Sequence, residues 1–103
     1  MVTAPTADNV IAATAKYTGI PTEVLCNNTI MTRNVTYARH LAMYLAKQLS
    51  FRSHKDIGDT FGFSHPSVSY ACRRILVDLH SKTRRDKTVK DVESITANLI
   101  RKG

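Results

Sequence analysis

Ser64, His65, Pro66, Ser67 and Ser69 stand close together in the chain, and Arg73 and Arg74 follow about two helical turns on. Hydroxyls, an imidazole and a pair of guanidiniums in that order suit hydrogen bonding to nucleobase edges and charge-assisted bonding to phosphates. They suit catalysis poorly. His40, His54, His65 and His80 fall at no HExxH or paired Cys/His spacing, and Cys26 and Cys72 form no CxxC. No Ser-His-Asp order and no carboxylate pair stands out. The residues describe a binding protein, with no metal, no cofactor and no enzymatic activity.

To act together, these side chains must share one exposed face of one helix, and the residues around them build it. Ser53 is a helix cap with Asp56 three residues on, and the short helix it starts stops at Gly62. Ser64 caps a second helix, with Pro66 in its first turn, where a missing N–H costs nothing. Val68, Ala71, Cys72, Ile75 and Leu79 give that helix an apolar side and carry it to about Thr83. Two helices that cross steeply need a small residue at their closest approach, and Gly58 is placed for it. The turn needs a residue that accepts positive φ, which Gly62 supplies, and the second helix needs a buried β-branched residue six positions later, where Val68 stands. The spacing therefore predicts a helix-turn-helix over about 53–83.

In such a motif the second helix enters the major groove and its N-terminal residues reach base edges. Ser64, His65, Pro66, Ser67 and Ser69 are the candidate base-contacting residues, with Tyr70 at the limit of reach. Arg73 and Arg74, two turns in, are placed for phosphates. Ser53, His54 and Lys55 join them at the first helix's N-terminus, where backbone N–H groups favour an anion. Arg39 and Lys47, on the preceding helix, complete the candidate phosphate-contacting set.

The remaining chain reads as further helices. Val10, Ile11, Ala13, Ala15 and Tyr17 make a first one from about Asp8, its expected N-cap, to Thr18, and Thr22 opens a short turn of helix. Asn27 to Asn34 has no periodicity and is a loop. Ala38, Leu41, Ala42, Leu45, Ala46 and Leu49 recur at three and four residues over Thr36 to Leu49, with Arg39, His40, Met43, Lys47 and Gln48 mostly outside the stripe. The run from Lys82 to Lys87 is expected to break the chain before a last helix over Thr88 to Arg101. No strand-like alternation appears, so the fold class is all-α, a single domain over 1–103 with five to six helices around a central helix-turn-helix.

Charge points the same way. The 103 residues carry +7, of which residues 33–55 hold +5 without one acid and residues 73–90 another +5. Two basic blocks flanking the motif imply a polyanionic partner, duplex DNA ahead of RNA or a membrane surface. No segment is apolar for long enough to cross a bilayer, no signal-peptide layout opens the chain, and two distant cysteines fit a reducing cytoplasm. The alternative is a protein-interaction module that uses the same basic surface for a replication or transcription partner. Salt and sequence dependence separate the two readings. Val92, Ile95 and Leu99 serve either internal packing or a partner face, so monomer and homodimer stay open.

Three blocks carry a family likeness. ARHLAMYLAKQL (38–49), IGDTFG (57–62) and SHPSVSYACRRI (64–75) resemble the C-terminal DNA-binding domain of the bacterial replication initiator DnaA, a Trp-repressor-like helix-turn-helix fold. His65, Val68, Ala71, Cys72, Arg73 and Ile75 match its signature. The resemblance implies a protein that reads a short duplex site, bound to the bacterial nucleoid or encoded by a phage or plasmid. It also implies that Ser64, His65 and Pro66 occupy the family's base-contacting Asp, His and Thr positions, with Ser67 at a second Thr. The family's basic loop enters the minor groove. Here its counterpart, residues 27–33, has Arg33 as its one arginine, and Met31 stands near the family's minor-groove arginine. The turn is one residue shorter, Gly62-Phe63 for Gly-Gly-Arg. These departures predict a target related to, but distinct from, the family's standard box. The initiator's nucleotide-binding loop, GxxxxGK[ST], has no counterpart. The expectation is a stand-alone DNA-binding domain that binds no nucleotide and acts in transcription regulation or replication control.

Overall fold

A computed structural model describes residues 5–50 and 52–101, with residues 1–4, 51 and 102–103 outside the described set. Among the described residues it contains six helices: α1 (Ala7–Thr18), α2 (Thr22–Leu25), α3 (Arg33–Ser50), α4 (His54–Phe61), α5 (His65–Leu79) and α6 (Arg85–Arg101). The all-α expectation holds, and the boundaries move for local reasons. The cap of α1 is Thr6, not Asp8: its hydroxyl accepts from the Asn9 amide, and the Asn9 side chain accepts from the Thr6 amide, both at 3.1 Å. Asp8 lies in the first turn, where a carboxylate complements the helix dipole. Helix α3 starts three residues early because the Thr32 carbonyl accepts from the Thr36 amide at 2.9 Å.

The largest departure is at the far end of the motif. Helix α5 stops at Leu79, four residues short of expectation, and α6 begins at Arg85, three residues early. Ser81 causes both shifts: its hydroxyl accepts from the amides of Thr83 and Arg84 at 3.3 Å, and its carbonyl accepts from the Arg85 amide at 3.0 Å. The basic run does not break α6, because its charges find acids: Arg84 lies 3.4 Å from Asp78, and Lys87 lies 2.8 Å from Asp91.

Helix α3 is the central element, packed against all five others. Leu41, Ala42 and Ala46 are fully buried on it, with Ala38 at 1% exposure. They meet Val10 and Ile11 of α1, Leu25 of α2, Ile57 and Phe61 of α4, Val68, Ala71 and Ile75 of α5, and Ile95 of α6 in one core. Met43, read as outside the stripe, is buried as well. Each large aliphatic removed from water contributes about 1.5–3 kcal/mol.

A polar hub fastens α6 to this core. Asp91 accepts from the Tyr17 hydroxyl of α1 at 2.6 Å, from the Tyr37 hydroxyl of α3 at 2.8 Å and from Lys87 at 2.8 Å, and the Lys87 ammonium lies 4.4 Å from the centre of the Tyr37 ring. Burial works against the charge on Asp91, but the bonds from Lys87, Tyr17 and Tyr37 outweigh it and hold its carboxyl below the ordinary value. Burial pushes the Tyr37 phenol well up, and Asp91 adds to the shift.

Candidate nucleic-acid interface

The site is organised by the turn between α4 and α5. Ser53 caps α4, its hydroxyl accepting from the Asp56 amide at 3.1 Å. At the other end Gly62 adopts φ 79°, a left-handed conformation that favours glycine. The Phe63 amide then donates to the Gly58 carbonyl at 2.8 Å. A Cβ at Gly58 would overlap the Phe63 carbonyl oxygen, so the chain returns over α4 closely only because position 58 has no side chain. Val68, fully buried, and Ala71 and Ile75, at 0% and 1% exposure, pin α5 to the core.

That pinning fixes which side of α5 faces out. Ser64, His65 and Pro66 are exposed at its N-terminal end, Ser67 and Ser69 are half-buried, and Tyr70 is 54% exposed. Ser64 has N-cap backbone geometry, but its hydroxyl bonds no backbone amide. It meets the Ser67 hydroxyl at 3.0 Å instead. The first turn of α5 therefore presents two hydroxyls and an imidazole, a surface able to bond base edges and phosphate oxygens, while Pro66 has no N–H and the Ser67 amide donates to the Ser64 carbonyl at 3.1 Å.

The expected phosphate set is dispersed in its states. Arg73 is exposed and forms no ion pair among the described residues. Arg74 lies 3.6 Å from Asp78, which it shares with Arg84. Lys55 pairs with Asp59 at 3.4 Å on an exposed surface, a contact worth little in water. His54 is half-buried beside the Ser53 cap. Lys47 donates to the Arg52 carbonyl at 3.2 Å, where α3 leads into α4. Arg33 is exposed in the first turn of α3, directly after the 27–32 loop.

Arg39 corrects the sequence reading. Only 2% exposed, it is not on the surface at all. Its Nε donates to the Leu25 carbonyl at 2.7 Å, and its Nη2 reaches the carbonyls of Asn27, Ile30 and Val24 at 2.9, 3.0 and 3.3 Å. The guanidinium also lies 4.7 Å from the centre of the Phe63 ring. Nε and Nη2 are taken up by the protein's own carbonyls and Nη1 lies 3.8 Å from the Met31 sulfur, which leaves little of the fork for a phosphate.

A cleft of about 300 Å³ joins the two ends of the site, lined by Met31 of the loop, Thr36, Arg39, His40 and Met43 of α3, Phe63 of the turn, and Pro66, Ser67 and Tyr70 of α5. His40 meets Tyr70 edge to face, with ring centroids 5.8 Å apart. Burial, then the nearby Arg39 and Arg74 charges, lower the His40 pKa against an opposing pull from Asp78. Sequence reasoning passed over His40 and Met43. Their signal was the spacing of Met43 four residues after Arg39, which widens the buried face of α3.

The family described as bacterial dnaA protein helix-turn-helix matches residues 7–75, from the start of α1 to Ile75 of α5. The chain is 37% identical over 93 residues to the chromosomal replication initiator protein DnaA of Tropheryma whipplei, strains Twist and TW08/27; the aligned part is 90% of this chain and 19% of that protein. It is 41% identical over 68 residues to the chromosomal replication initiator protein DnaA 2 of Chlamydia trachomatis serovar D, covering 66% of this chain and 14% of that protein. The chain thus spans about a fifth, or less, of the length of these relatives. The family match covers more than half of the chain and takes in both helices of the motif, up to the residue that buries the middle of α5, so this chain belongs to the bacterial DnaA helix-turn-helix family.

Proposed function

We propose that this protein binds double-stranded DNA at a specific sequence and acts in replication control. The observation that carries the reading is the first turn of α5: Ser64, His65 and Pro66 are exposed together, while Val68, fully buried, holds the helix at a fixed angle behind them. In this reading α5 enters the major groove. Ser64, His65, Pro66, Ser67 and Ser69 read base edges, with Pro66 and the Ser67 β-carbon suited to a thymine methyl. Arg73, Arg74, Lys47, Ser53, His54 and Lys55 set the register on phosphates, and Arg33 reaches the minor groove. The replication role draws support from the relatives, which are chromosomal replication initiator proteins.

Selection from a pool of random duplexes, followed by titration of the winner at two salt concentrations, tests the proposal. An enriched motif bound about 10³-fold or more above a scrambled duplex is the expected result. Equal, salt-sensitive binding to every duplex would move the reading to a protein-interaction surface.

A further inference from the structure

Arg39 is a buried cation with no carboxylate within bonding distance among the described residues. An uncompensated buried charge is costly, so its surroundings must serve it well. They do so with dipoles. The carbonyls of Val24 and Leu25, at the end of α2, and those of Asn27 and Ile30, in the loop, all converge on one guanidinium. Its face lies against Phe63, the residue that separates Gly62 from the start of α5. The Met31 sulfur lies 3.8 Å from Nη1. Arg39 therefore touches both halves of the candidate interface, the loop before Arg33 and the turn before Ser64, and belongs to neither.

We infer that Arg39 is a positioning residue that locks the 27–33 loop and the α4–α5 turn into one rigid unit, so that the groove-reading ends of the protein meet DNA at a fixed separation. The inference rests on the DNA-reading proposal for its consequence, but its structural half stands without DNA. A fork of donors is essential to it: lysine keeps the charge but cannot serve four carbonyls and a ring at once. A phosphate-binding arginine, by contrast, would tolerate lysine well.

The experiment uses Arg39→Lys in the full chain, with two readouts. The first is amide hydrogen exchange of the free protein. The amides of Asn27 and Ile30 donate to the Val24 and Asn27 carbonyls, both of which Arg39 holds. These two amides are expected to exchange about ten-fold faster or more in the variant, while Leu41 and Ile75 in the core keep their protection. The second readout is binding to single-base-pair variants of the selected duplex. Discrimination is expected to fall about ten-fold at the pairs beside Arg33 and to persist at those read by His65. Phe63→Leu, which removes only the ring beneath the guanidinium, is expected to give the same pattern at about three-fold and carries the test if Arg39→Lys does not fold. Unchanged exchange at Asn27 and Ile30 in the variants that fold would overturn the inference, as would an equal loss of affinity at every base pair. A wild-type protein with no duplex preference would instead defeat the DNA-reading proposal, and the exchange data would still decide the role of Arg39.

Discussion

Gly58→Ala adds one methyl group at the point where the turn crosses α4. A Cβ there would run into the Phe63 carbonyl oxygen and crowd the Ser64 carbonyl carbon at 3.3 Å. The obstacle is backbone, so no side-chain rotation relieves it. Residues 62–64 would have to lift away, stretching the Phe63 to Gly58 hydrogen bond of 2.8 Å. Overpacking of this kind costs about 3 kcal/mol when main chain must move. Alanine's better helix propensity offsets about 1 kcal/mol of that. The net loss of about 2 kcal/mol corresponds to a fall in Tm of about 10 °C for a domain of this size.

Gly62→Ala separates the close approach from simple backbone strain. At φ 79° a Cβ costs about 1 kcal/mol, yet its nearest neighbour, the Cys26 carbonyl oxygen, lies at an ordinary 3.8 Å. Thermal melts followed by circular dichroism should rank wild type above Gly62→Ala, and Gly62→Ala above Gly58→Ala. The Gly58 variant should also bind the selected duplex more weakly than its lost stability explains, because the start of α5 has shifted. If Gly58→Ala melts within 2–3 °C of wild type, a difference of well under 1 kcal/mol, the contact between α4 and the turn does not limit this fold.

His65→Ala should cost about 1–3 kcal/mol at the base pair it reads and change binding to scrambled DNA little; equal losses on all duplexes would remove it from the reading set. Arg73→Ala should weaken binding to every duplex alike and make the slope of log K against log salt about one unit shallower. Acid should destabilise the fold in two stages, measured as the urea midpoint against pH. His40 titrates below its ordinary 6.5, so its contribution is complete above that value and lost as pH falls through the lowered one. Asp91 titrates below 3.8, so its contribution is complete above 3.8 and lost at still lower pH. His40→Gln should abolish the first stage alone; Asp91→Asn should abolish the second.

What the sequence revealed, and what it hid, follows the range of the interactions concerned. Gly58, Gly62 and Val68 announce the motif because a helix-turn-helix is a local device, with its demands for smallness, positive φ and burial falling within eleven residues. The apolar stripe of α3 is equally local. Arg39 was misread because its partners come from α2 and the loop, nine to fifteen residues away, and are backbone carbonyls that no side-chain pattern records. The start of α6 was misread for a related reason. A run of lysines and arginines looks like a helix breaker until Asp78 and Asp91 are seen beside it. Of the pairs made by Asp78 and Asp91, only the i,i+4 ones, Arg74 with Asp78 and Lys87 with Asp91, left a trace in the sequence.

The same positions show why net charge overstates the grip on DNA. Of the five bases in residues 33–55, Arg39 is sealed inside and Lys55 is paired with Asp59. Of the seven in residues 73–90, Arg74 and Arg84 share Asp78, and Lys87 holds Asp91 against two tyrosines. Lys82, Arg85 and Lys90 follow α5 in the chain and form no ion pair among the described residues. The basic blocks therefore divide by task. In the proposed DNA-reading mode Lys47, Arg73 and, once drawn from Asp78, Arg74 meet phosphate, and Arg33 meets the minor groove. Arg84 and Lys87 hold α6 to the core through Asp78 and Asp91, whereas Arg39 is spent on the carbonyls of α2 and the loop and Lys55 on Asp59. A protein that used all twelve as phosphate contacts would bind any duplex tightly and any one sequence poorly; tying several of them to its own carboxylates would leave a larger share of the binding to the five residues proposed to read bases.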